Sequence, residues 1–302
     1  MIGHLGDVDR AAVLVQPVVL PFFLTIVLAQ ILAFRAAGVL WSRTRREPGG
    51  CGRATGRRAL AAAQLAGLVG GAIPVATYLA NLLPWWHTGS PQLALVVIVL
   101  GFAVAVGIAA HLGRWRTQLL GPAAAVSLVT VAALVADTLL GSRLQLFGLL
   151  GLQPLIGGRF YGVGNVALGV QVCATILLAG AMAGRPARAG ARVAAVALGS
   201  MVGSLVVAVD VAPIWGAKLG AVPVLMPALA YLAMRLLKVR VTVKRALLVV
   251  VSSAAILAVA CTDYLRPPAF RGAIWAGLLL LCWMVRRAWS SPAKPARTSI
   301  CS

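Results

Sequence analysis

Only six residues of this 302-residue chain are acidic, and three of them, Asp137, Asp210 and Asp263, each close a long apolar run. They stand in V-A-D-T, A-V-D-V and C-T-D-Y, and each is followed by a short stretch with glycine or proline and at least one cation. A carboxylate beside a cation and an aromatic can act as a base or orient the cation toward an anion. The fullest case is D-V-A-P-I-W-G-A-K, which runs from Asp210 through Trp215 to Lys218. A second stretch, G-G-R-F-Y-G-V-G-N at 157–165, opens the next apolar run. Glycines at a helix start let backbone approach closely, and the free N–H groups there favour an anion. Arg159 adds a bidentate partner for carboxylate or phosphate. Asp210 and Asp137 are therefore the candidate catalytic residues, as bases or as orienters of cations. Arg159, Lys218 and Arg143 are the candidate anion ligands, and Tyr161, Asn165 and Trp215 would shape the pocket.

Several other chemistries have no residues to use. The chain has no H-E-x-x-H, no Walker-type phosphate loop and no G-x-S-x-G. Its single glutamate, Glu47, lies in a basic segment, and His4, His87 and His111 are far apart. The five cysteines are scattered without a C-x-x-C pair, so neither a disulfide framework nor a zinc site is indicated. No metal and no cofactor is expected. The competing reading is structural: terminal aspartates can pair with cations to fix hairpins, and glycines can serve close helix contact alone.

The elements that must position these residues are membrane spans. Hydrophobic residues make up 61% of the chain and charged ones 11%, with a mean hydropathy of +0.96, where a soluble domain carries about a quarter charged residues. Apolar stretches near the ~20 residues that cross a bilayer recur throughout, and they do not alternate as barrel strands do. The expected fold is all-α: a polytopic transmembrane helical bundle of about nine spans, at roughly 17–41, 59–83, 93–112, 119–140, 163–183, 193–209, 220–237, 246–262 and 270–285. Twenty of the 27 Lys and Arg residues fall in the segments 42–58, 113–117, 185–192, 235–245 and 286–302, while five of the six acids fall on the other side. That bias predicts an N-out, C-in orientation in the cell membrane. It also accounts for the net charge of +21 without nucleic acid. Membrane lipids are the expected partners, since basic residues attract anionic head groups.

The organisation that follows has an extracytoplasmic segment at 1–16, a transmembrane domain at 17–287 and a disordered cytoplasmic tail at 288–302. The acidic N-terminus, M-I-G-H-L-G-D-V-D-R, is not that of a cleavable signal peptide. Residues 42–58 carry Gly, Pro and six arginines without apolar periodicity, which predicts a flexible loop. Residues 141–165 are too apolar for a solvated loop, which predicts a re-entrant or interfacial element held by protein or a cavity. Asp137 should lie within its helix, and Asp137, Asp210 and Asp263 should face one another, a cation or water. A charge in a span costs about 2.5–3.5 kcal/mol at the bilayer centre, and such residues are functional hypotheses by default.

The stretches R-F-Y-G-V-G-N and D-V-A-P-I-W-G-A, with G-S-R-L-Q-L-F-G-L-L-G-L-Q-P-L-I-G-G before the first and P-V-A-T-Y-L-A-N-L-L-P-W-W earlier, carry a resemblance. The chain resembles, over roughly 60–270, an uncharacterised family of polytopic membrane proteins from actinobacteria and related Gram-positive bacteria. That family supplies no established activity. Some of its members place an extracytoplasmic domain similar to alkaline phosphatases before the spans. The resemblance implies a stand-alone or truncated membrane half, working with a separate phosphatase-like protein outside. Two departures bear on site roles: Lys218 stands where the family pattern has an acidic or amide residue, and 267–272 lacks its His-containing stretch.

The expected function is a cell-envelope membrane protein that binds or processes an anionic, lipid-linked substrate at the outer leaflet. Two alternatives stay open. One is a transporter in which Asp137 and Asp210 carry protons or cations. The other is a non-catalytic anchor for an extracytoplasmic enzyme.

Overall fold

The computed structural model describes residues 2–46, 50–118, 120–146, 148–151 and 162–265. Among these every regular element is helical, as a chain in hydrocarbon requires, because a helix satisfies its own backbone groups. In chain order the α-helices are α1 (Ile2–Arg46), α2 (Gly50–Leu79), α3 (Pro91–Leu112), α4 (Gly121–Leu139), α5 (Asn165–Arg188), α6 (Arg192–Val211), α7 (Ala221–Leu236) and α8 (Val243–Leu265). The first eight expected apolar runs each coincide with one of these helices. The ninth, 270–285, lies outside the described residues, as does the tail.

Six helices, α1 to α6, contain segments long and apolar enough to cross a membrane by length and composition. α7 is apolar but shorter, at 16 residues. These helices fit a membrane-embedded protein.

One expectation is overturned. The flexible loop at 42–58 is mostly helix, since α1 runs on to Arg46 and α2 begins at Gly50. Hydropathy marks where a helix leaves the apolar phase, not where its hydrogen bonding stops, and arginine is a good helix former. At the other end α1 starts at Ile2 and passes through Pro17 and Pro21 without ending, so residues 2–16 continue the helix of the first apolar run.

Consecutive helices pack on each other, and α4 also lies against α2, α5 and α6. One buried apolar cluster joins α4, α5, α6 and α7 through Leu134, Val172, Val206 and Leu225. Another joins α1, α2 and α3 through Phe22, Ile73, Leu95 and Val99. α5 is the most enclosed helix, with half of its apolar window buried, whereas only 6% of the α1 window is buried. The apolar residues exposed on α1, among them Leu20, Leu24, Ile31 and Leu32, form a face suited to lipid. Hydrogen bonds from Asn81 to Leu144, from Gly164 to Gln145 and from Val163 to Gly216 bring the ends of α2, α4 and α6 and the start of α5 together at one end of the bundle.

Candidate functional site

Asp137 sits in the last turn of α4, inside the helix as expected, and is 3% exposed. Its carboxylate is fully engaged by the chain that follows it. The Leu144 N–H donates to Oδ1 at 2.8 Å, and Gln145 Nε2 donates to Oδ2 at 3.1 Å. Its carbonyl accepts the Ser142 N–H at 2.7 Å. The turn needs these bonds because Gly141 and Ser142 both take positive φ, and the following residues form a single 3-10 turn at Arg143–Gln145. Asp137 therefore folds its own connection.

Gln145 then carries that connection to the next motif. Its side chain is buried, and its Oε1 accepts the Gly164 N–H at 3.1 Å, one residue before α5 begins. A helix leaves its first N–H groups without intrahelical partners, and Gln145 takes one of the donors at this start. Behind the turn, the end of α2 and the 3-10 turn after it, Ala80–Leu82, supply a clasp. Tyr78 donates its O–H to the Leu150 carbonyl at 3.1 Å, and Asn81 donates to the Leu144 carbonyl at 2.6 Å while accepting from Trp85 Nε1 at 3.1 Å. The segment 141–151 is thus tied to α2, α4 and α5. Residues 152–161, including Arg159 and Tyr161, lie outside the described residues.

The D-V-A-P-I-W-G-A-K motif folds into a tight connection between α6 and α7. Gly216 N–H donates to Val209 O at 3.2 Å, Ala217 N–H to Ala212 O at 2.9 Å and Lys218 N–H to Asp210 O at 2.8 Å. This fold-back presses Gly216 against the Asp210 backbone, where a Cβ would collide with main-chain atoms. Gly162, at φ +85°, turns the chain so that Val163 N–H donates to Gly216 O at 2.9 Å. Lys218 Nζ donates to Asn165 Oδ1. The two glycine-rich motifs therefore meet at the start of α5, through one backbone bond and one side-chain bond.

The expected site residues separate into two groups by burial. Arg143, Asn165 and Trp215 are exposed, and Lys218 is half-buried, all on the same end of the bundle. Asp137 and Asp210 lie beneath, with Asp210 wholly buried. The two aspartates do not face each other. Asp210 Oδ1 accepts from Gln171 Nε2 on α5 at 3.1 Å, and neither carboxylate pairs with a cation among the described residues. Two of the three D-containing motifs thus do different work, despite their likeness in sequence: Asp137 binds its own turn, and Asp210 binds a neighbouring helix. The side chain of Asp263 lies outside the described residues.

Sequence reasoning missed Gln145, Gln171, Tyr78 and Asn81. A neutral amide gives no charge signal, and a tyrosine inside an apolar run reads as core. Their one available signal was the scarcity of amides within the spans. Among the described residues, no three His, Cys, Asp or Glu side chains gather to hold a metal ion. No protein-family model, curated protein or solved structure matches this chain.

Proposed function

We propose that this is a cell-envelope membrane protein, N-terminus out and C-terminus in, that binds an anionic, lipid-linked substrate at the outer leaflet. The observation that carries this reading is the meeting of the two glycine-rich motifs at the start of α5, where Val163 bonds Gly216 and Lys218 bonds Asn165. A helix start offers N–H groups and the positive end of the helix dipole to an anion, and Lys218 adds a full charge beside it. Arg143 is exposed on the adjoining turn, and Arg159 lies in the stretch that leads into Gly162.

The surroundings support a lipid attachment. Leu140 is 76% exposed and Ile214 77% exposed at the same end, beside a partly exposed Trp215. Tryptophan at a bundle end suits the interface between head groups and acyl chains. The orientation rests on charge: this end carries few cations, and most Lys and Arg residues fall in the alternate connections. Both carboxylates lie beneath the surface, and Asp137 has each oxygen engaged. The reading is therefore binding, with Asp137 and Asp210 holding the connections in place. Transport through Asp137 has less support, because the turn that follows it occupies its carboxylate.

The test is native mass spectrometry of protein in nanodiscs containing a polyprenyl phosphate, with phosphatidylcholine as the neutral control. The parent should retain the polyprenyl phosphate preferentially. The double variant Arg159→Ala, Lys218→Ala should lose at least tenfold in retention while unfolding at the parent temperature. Equal retention by parent and variant, or no preference over phosphatidylcholine, sinks the reading.

A further inference from the structure

Beneath that surface lies a polar pair that the anion reading does not use. Gln171 is on the second turn of α5 and Asp210 on the last turn of α6, and both are 0% exposed. The bond from Gln171 Nε2 to Asp210 Oδ1, at 3.1 Å, uses one polar atom on each side chain. The other atom on each, Gln171 Oε1 and Asp210 Oδ2, is buried without a hydrogen-bond partner among the described residues. With Asp210 ionised both remaining atoms are acceptors, so neither can serve the other. Buried polar groups are nearly always paired, and an unpaired buried charge is the most costly exception.

One hydrogen resolves both at once. On Asp210 Oδ2 it supplies a donor across a pair already joined by the amide N–H. The result is a ring of two hydrogen bonds, with amide N–H to carboxyl C=O and carboxyl O–H to amide C=O. We propose that Gln171 and Asp210 form a buried proton site, in which Asp210 is held as the neutral acid by a cyclic acid–amide pair. The proton comes from a hydronium ion of the solvent: its O–H bond breaks to leave water, the new O–H bond uses an Oδ2 lone pair, and nothing is oxidised or reduced.

The neighbouring groups leave this as the simplest way to satisfy both atoms. α4, α5 and α7 pack on α6. On α4 the acid is Asp137, engaged by Leu144 and Gln145. In the α6–α7 connection Lys218 Nζ donates to Asn165. Arg185 and Arg188 lie at the far end of α5, Arg192 at the far end of α6, and Tyr231 and Arg235 in the far half of α7. A metal ion would need more oxygen or nitrogen ligands than the pair supplies. The Thr175 hydroxyl, one turn along α5, gives its hydrogen to the Gln171 backbone carbonyl and so does not serve Gln171 Oε1. The proton also sits directly under the anion surface, because Asp210 O accepts the Lys218 N–H. The site stands whatever that surface binds.

Infrared spectroscopy of the full chain in phosphatidylcholine nanodiscs at neutral pH tests this, alongside thermal unfolding. The parent should show a carboxylic-acid C=O band that Asp210→Asn removes. Asparagine carries the same donor and acceptor permanently, so Asp210→Asn should unfold within about 2 °C of the parent, while Asp210→Ala and Gln171→Leu unfold well below it. Absence of the acid band in the parent overturns the proposal, whether or not the alanine variant inserts. So does stabilisation of the parent, but not of Asp210→Asn, by sodium chloride over choline chloride at fixed pH, which would assign a metal cation instead.

Discussion

Two residues decide the shape of the candidate site, and neither is charged. Gln145 joins Asp137 to Gly164, so Gln145→Leu leaves a buried carboxylate oxygen and a buried N–H without partners. Each buried group left unpaired costs about 1–3 kcal/mol. The variant should therefore lose roughly 2–6 kcal/mol of stability in total and unfold at a clearly lower temperature, and a parent-like melt would show that the bridge is dispensable. Gly216 is the other. An added Cβ meets the Asp210 main chain, which cannot rotate aside as a side chain would. Gly216→Ala should cost about 1–3 kcal/mol by overpacking and should weaken anion retention, because Gly216 O also holds Val163. The aspartates were legible in the sequence because charge is scarce there and costly in a span. Their partners were not, since an amide among apolar residues announces nothing until the helix that faces it is known.

At the scale of elements, the apolar runs located each helix core, because a span must bury about 20 consecutive residues in hydrocarbon. They could not locate helix ends in the arginine-rich stretch, where α1 and α2 extend beyond the apolar phase. Nor could they show that the motifs expected on one side bond to one another there. That joining depends on Tyr78 at the end of α2 and Asn81 in the 3-10 turn just after it, which clasp the chain after α4. Tyr78→Phe removes one hydrogen bond, worth about 1 kcal/mol. Asn81→Leu removes two and strips Trp85 Nε1 of its acceptor. Hydrogen–deuterium exchange should rise across 142–151 in both variants, more in Asn81→Leu, and stay unchanged at 113–118 on the opposite end. A rise at both ends would mean that α2 stabilises the bundle as a whole and has no special hold on this connection.

For the whole molecule, the proposed orientation and the proposed binding end stand on the same fact: the cations and the acids sort to opposite ends. The charge on the basic end is enough to fix topology, since the bias is counted over short loops beside the spans, and 42–58 alone carries six arginines. In a chain whose native cysteines are replaced by serine or alanine, Gly89→Cys and Ala189→Cys probe the two ends. Gly89 has open space around its Cα, and Ala189 is exposed. A membrane-impermeant maleimide added to intact cells should label position 89 and spare position 189. Replacing Arg43, Arg45, Arg46, Arg53, Arg57 and Arg58 by glutamine removes the strongest cluster, and a fraction of molecules should then label at 189. If 189 labels in the parent and 89 does not, the glycine-rich end faces the cytoplasm. The anion surface would then meet inner-leaflet lipids, and its substrate would have to be sought there. The buried Gln171–Asp210 pair would be unaffected by that reversal, because its hydrogen bonding lies inside the bundle and does not depend on which way the bundle points.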